Sequence, residues 1–137
     1  MGELVDINVD GAQDLSAVPA GEYVVRILTA KISISERGNK GMTLMFKVIG
    51  EDFSMPISHY IMFPSPPGGG MTSDEINKRK LAIRDFYNAF KLAPPFDVEE
   101  LKNLEASAYL TIVSEENPEY ADKNGNRNRI SRFISSR

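Results

Sequence analysis

Three consecutive segments of alternating apolar and polar residues, then one capped helix, then two more alternating segments set the limits on what this chain can fold into. In the first, Tyr23, Val25 and Ile27 alternate with Glu22, Val24 and Arg26, and β-branched residues run on to Ile34. A stretch this long predicts a bend or bulge near Thr29-Ala30. In the second, Leu44, Phe46 and Val48 face one way and Thr43, Met45 and Lys47 the other. The third sets Phe53, Met55, Ile57, His59, Ile61 and Phe63 against Ser54, Pro56, Ser58, Tyr60 and Met62, with Pro56 signalling an edge or a bulge. Thr72-Ser73-Asp74-Glu75 has capping-box spacing, with Thr72 placed to bond the amide of Glu75. The helix it opens carries a stripe of Ile76, Ile83, Phe86 and Phe90 with Ala82 and Ala89, and stops at Ala93-Pro94-Pro95. A helical turn between Asp97 and Asn103 precedes a fourth strand, in which Ala106, Ala108, Leu110 and Ile112 oppose Ser107, Tyr109, Thr111 and Val113. After a polar loop, Arg129 to Ile134 makes a fifth strand, where Phe133 is out of phase with Ile130 and Ile134.

This order excludes the common alternatives. A parallel βαβ sheet needs helices between most strands, and a sandwich has more strands and no long helix. The pattern expected is mainly β: a five-stranded OB-fold Greek-key barrel with one α-helix between strands 3 and 4. Residues 1–20 read as an N-terminal arm, rich in Asp and free of Lys and Arg, whose Leu4, Val5, Ile7 and Val9 are placed to pair at a sheet edge. Residues 21–137 form the barrel domain.

Chemistry is sparse along the chain. With no Cys and only His59, a disulfide scaffold, a thiolate zinc site and a cysteine nucleophile are excluded, and a His-rich metal site has little room. No apolar run approaches the roughly 20 residues of a membrane span. The segment MGELVDINVDGAQD is acidic, which does not suit a signal or transit peptide. Asp74/Glu75 and Glu99/Glu100 are adjacent in sequence, so on a helix they point apart and read as caps rather than an acid/base pair. Gly68-Gly69-Gly70 lacks the Lys and hydroxyl of a phosphate loop. His59 falls on an apolar phase and is expected to be partly buried. No enzyme, cofactor or metal is expected.

Binding is better supported. In OB folds, oligonucleotides cross the strand 2–3 face between the loops joining strands 1–2 and 4–5. Here the first loop carries Arg37, Asn39 and Lys40, and the second Tyr120, Lys123, Asn124, Asn126 and Arg127, with Arg129 just beyond. Lys47, Tyr60 and Tyr109 fall on outward phases of strands 2, 3 and 4. Cations answer phosphates and tyrosines stack unpaired bases, which is what single-strand binding requires. The formal charge of −3 conceals a segregation: residues 37–50 carry +3, 78–91 carry +4 and 123–137 carry +5, against −7 over 92–122. Two of the basic blocks fall on the expected groove.

Val18-Pro19-Ala20-Gly21-Glu22-Tyr23, Ser35-Glu36-Arg37-Gly38-Asn39 before Leu44-Met45-Phe46-Lys47-Val48, Phe86-Tyr87-Asn88-Ala89-Phe90, and Tyr120 with Asn124-Gly125-Asn126 resemble motifs of phage-encoded single-stranded-DNA-binding proteins of OB fold. The resemblance covers about residues 18 to 135. It implies sequence-tolerant binding and protection of single-stranded DNA in replication or recombination, without catalysis, often as a homodimer. It also implies phage replication or recombination proteins as partners and the bacterial host cytoplasm as the site of action. Many single-strand-binding proteins end in an acidic, partner-recruiting tail, whereas this sequence ends Ile134-Ser135-Ser136-Arg137. The competing expectation is a protein-interaction or virion-assembly module on the same small barrel, with no nucleic-acid binding.

Overall fold

The computed structural model describes residues 2–34, 38–65 and 69–135. Five strands form one antiparallel sheet: β1 (Gly21–Ile34), β2 (Lys40–Val48), β3 (Ile57–Met62), β4 (Glu105–Ser114) and β5 (Asn126–Ile134), in the spatial order β3-β2-β1-β4-β5. The sheet curls into a nearly closed barrel, with α1 (Ser73–Phe90) between β3 and β4, as in an OB-like fold.

Curling needs irregularities, and two bulges supply them. In β1 the register against β2 shifts between Ile27 and Thr29, so Leu28 is the extra residue, close to the expected bend. In β5, Tyr109 pairs with Arg132 while Leu110 pairs with Ile130, which leaves Ser131 as the extra residue. That second bulge resolves the conflict of phase. Ile130 and Phe133 both turn inward, and Phe133 packs against the rings of Phe46, Phe86 and Phe90.

The core is the inward face of all five strands, with Val25, Ile27, Leu44, Phe46, Val48, Ile57 and Leu110 fully buried or nearly so. Phe86, Ala89 and Phe90 of α1 close the barrel bottom, joined by Leu101 from a 3-10 turn, Val98–Leu101. The helix starts as its sequence dictates, with Thr72 Oγ1 accepting the Glu75 amide at 3.2 Å. Of the two carboxylate pairs, only Glu100 caps a helix, in a reciprocal capping box with Asp97; Glu99, Asp74 and Glu75 lie in first helical turns. None of the described residues forms a helix long and apolar enough to cross a membrane.

Two expectations are corrected. The third strand begins at Ile57 rather than Phe53: Pro56 has no amide to donate, and Phe53 is exposed. Leu4, Val5, Ile7 and Val9 pair with no strand among the described residues and stand exposed. Among the described residues, the arm joins the fold at its root. Ser16 bridges Ser54 in parallel, and Val18 is buried in the core.

Candidate nucleic-acid interface

Alternation sends Thr43, Met45 and Lys47 of β2 and Ser58, Tyr60 and Met62 of β3 to the barrel exterior. Lys31, Thr43 and Tyr60 follow one another in a single cross-strand row, and Arg26 lies opposite Lys47. The Tyr60 ring leans along β2 and lies over Gly41, where any Cβ would collide with it. Gly41 is buried under that ring while Tyr60 itself remains exposed. A flat aromatic surface is thereby presented on the β2–β3 face.

The flanking loops sit at opposite ends of β3. The Phe63 amide donates to the Lys40 carbonyl at 3.0 Å, which ties the exit of β3 to the start of β2, where Lys40 is exposed and Asn39 half-buried. Arg37 lies outside the described residues. At the other end, Lys123 lines a hollow with Phe53 and Ser54 just before β3. Asp14, Glu51 and Asp52 line the same hollow, so this end of the face is not simply cationic. The loop before β5 is organised by Asp122, whose carboxylate accepts the amides of Ala17, Asn124 and Asn126 at 2.9–3.0 Å. Those amides, Ala17 first, hold the Asp122 carboxyl below the usual carboxylate range. Tyr120 stands exposed on the same loop.

The remaining candidates form a second group. Tyr109 lies on the exterior of β4, and Arg132 of β5 sits 5.7 Å from its ring centre, covering one of its faces. Arg129 is exposed opposite Thr111. Arg127 is held by Glu115 at 3.1 Å, which answers much of its charge. Tyr109, Arg127 and Arg129 therefore belong to the β4–β5 surface, and Lys40, Lys47 and Tyr60 to the β2–β3 surface.

The two surfaces meet across the seam between β3 and β5. Among the described pairings, β3 bonds only to β2 and β5 only to β4. Inside the seam, His59 meets Phe133 edge-on at 5.3 Å and Phe46 at 6.4 Å. Burial there, with the nearby charge of Arg129, pushes the His59 pKa down to about 4, so the imidazole is neutral at pH 7. Outside, a hollow of about 400 Å³ lies between β3, β5 and α1. Tyr60 and Arg132 line it from the sheet, Lys78 and Arg79 from the helix. Glu75 and Asp85 are the acids of the same wall, and Asp85 faces Arg84 at 3.8 Å.

Lys31, Lys78, Arg79 and Arg132 thus join the surface without having been singled out from sequence. The signal for the helical pair lay in spacing: Glu75, Lys78, Arg79 and Ala82 recur at intervals of three and four, which puts them on one helix face. Among the described residues, no group of His, Asp or Glu is placed to hold a metal ion. No family model matches the chain, and comparison with curated proteins finds no match either.

Proposed function

We propose that this protein binds single-stranded DNA with little sequence preference, as a coating and protecting factor in DNA replication or recombination, phage-encoded in keeping with the resemblance of its motifs. One observation carries the reading: Tyr60 is exposed on the outer β2–β3 face, over Gly41, with Lys31 and Lys47 on the strands beside it and Lys78, Arg79 and Arg132 across the adjoining hollow. A base stacks on the tyrosine while the cations neutralise the phosphates on either side. Tyr109 backed by Arg132 supplies a second stacking surface across the seam, and Tyr120 a third on the loop. A curved exterior with separated tyrosines suits a flexible single strand better than a rigid duplex.

Fluorescence anisotropy with labelled oligo-dT and a duplex of equal length, at about 50 and about 200 mM salt, tests the reading. The expected result is tighter binding to the single strand and a steep loss of affinity with salt. Equal duplex affinity, or no binding at the lower salt, overturns it.

A further inference from the structure

We propose, resting on the single-strand reading above, that the hollow between β3, β5 and α1 is a subsite for one base of the bound strand, turned out of the stack and held apart from its neighbours. Tyr60 and Tyr109 serve bases that stay on the barrel exterior, whereas the hollow takes one that leaves it.

Three features of the hollow decide what fits. Its floor is apolar, with Met62 from β3, Ala82 from α1 and Ile130 from β5. Its rim is cationic, with Lys78 and Arg79 on the helix and Arg132 on the sheet. Arg79 is braced there before any ligand arrives: it is half-buried, and its Nη1 donates to the Phe63 carbonyl at 3.0 Å. The third feature is the β5 bulge. Ser131, the extra residue, has no counterpart in β4 and lines the hollow, bringing a hydroxyl and a stretch of main chain outside the regular ladder. The bulge also leaves Ser131 and Arg132 exposed in succession, which regular alternation forbids.

A nucleotide answers all three at once. Its base has flat apolar faces for the floor and a hydrogen-bonding edge for Ser131, and its phosphate meets the rim. Glu75 and Asp85 on the same wall accept hydrogen bonds from base N–H groups, which every nucleobase carries, so the subsite is compatible with sequence-tolerant binding. An apolar peptide side chain would leave the cations unanswered, and a bare phosphate would leave the floor uncovered. The volume of about 400 Å³ lies at the small end of ligand pockets, roughly 300–1,000 Å³. His59 and Phe133 close the seam beneath it at 5.3 Å, so a compact group enters and a further strand does not.

The position suits a strand that uses both exterior surfaces. Tyr60 lies on one side of the hollow, and Arg132, which covers Tyr109, lies on the other. A strand running from one tyrosine to the other crosses the hollow on the way.

Ala82 is exposed on the hollow wall, so Ala82→Leu fills the space without altering charge. Anisotropy is measured with oligo-dT and with an abasic oligomer of equal length, which has the phosphates and no bases. The expected result is oligo-dT binding weakened about tenfold, in line with the loss of one held base, with abasic binding and the salt slope unchanged. Ala82→Ser leaves the hollow open and should bind as the parent does, and circular dichroism checks the folding of both variants. On the unsubstituted chain, thymidine 5′-monophosphate should shift the amide resonances of Ala82 and Ser131, and deoxyribose 5-phosphate at equal concentration should not. Three results overturn the subsite: Ala82→Leu binds oligo-dT as tightly as the parent, it loses both oligomers alike, or the nucleotide moves those resonances no more than the sugar phosphate does. A parent chain that binds no oligo-dT is a different outcome, and overturns the single-strand reading together with the subsite.

Discussion

The side chain of Asn128 pairs with the backbone of Val18 as a strand would: Oδ1 accepts the Val18 amide at 2.8 Å, and Nδ2 donates to the Val18 carbonyl at 2.9 Å. The same Nδ2 also reaches the Thr111 carbonyl at 3.2 Å. Asn128 is buried, and the arm root it holds carries Val18 into the core. One polar side chain on β5 thus fixes where the arm ends and the barrel begins.

Asn128→Ala strands the Val18 amide and two carbonyls away from water. The expected loss is about 2–4 kcal/mol, since each unsatisfied buried group costs about 1–3 kcal/mol and part of it relaxes. Urea denaturation reads this directly. A change below about 0.5 kcal/mol would show that the arm root is not part of the folding unit.

Tyr60→Ala should weaken oligo-dT binding by about 1–3 kcal/mol, the worth of one stacked base. Gly41→Ala should mimic it without touching the tyrosine, because the new methyl group displaces the ring that lies over Gly41. Anisotropy titration of both variants is the check, and wild-type affinity in both would remove Tyr60 from the interface.

Lys47→Gln and Arg132→Gln should each lower the slope of log affinity against log salt by about 0.7, one phosphate contact to a single strand. Titrating each variant across the same salt series measures this. An unchanged slope would mean that the cation meets no phosphate.

His59 makes stability depend on pH. Its pKa is about 4 in the fold, against 6.5 for a histidine free in water, so between those values the unfolded chain binds the extra proton. This contribution is intact above pH 6.5 and is lost as pH falls towards 4, by roughly 3 kcal/mol in all. His59→Phe keeps a ring between Phe46 and Phe133 and removes the titration. Urea midpoints at about pH 5 and about pH 7 should differ less for the variant than for the parent.

What could be read without the fold was what depends on near neighbours in the chain. Period-two alternation belongs to consecutive residues, so the five strands, the inward set from Val25 to Leu110 and the outward phase of Lys47, Tyr60 and Tyr109 followed from sequence. The Thr72 cap was equally local. Strand 3 was overextended because Phe53 and Met55 keep the right period, yet ladder formation with β2 begins only after Pro56.

Tertiary structure decided what depends on pairs distant in sequence. Whether Phe133 faces inward turned on one extra residue, Ser131, whose bulge answers the curvature of the whole barrel. Arg127 looked as available as Arg129 until Glu115 was found beside it across the β4–β5 hairpin. Lys78 and Arg79 belong to the basic block that the expected groove left out, and only the packing of α1 set them beside Tyr60 and Arg132. The arm followed the same division: its alternation was legible, but its exposure was not, because pairing requires an edge that only the closing of the barrel leaves open or fills.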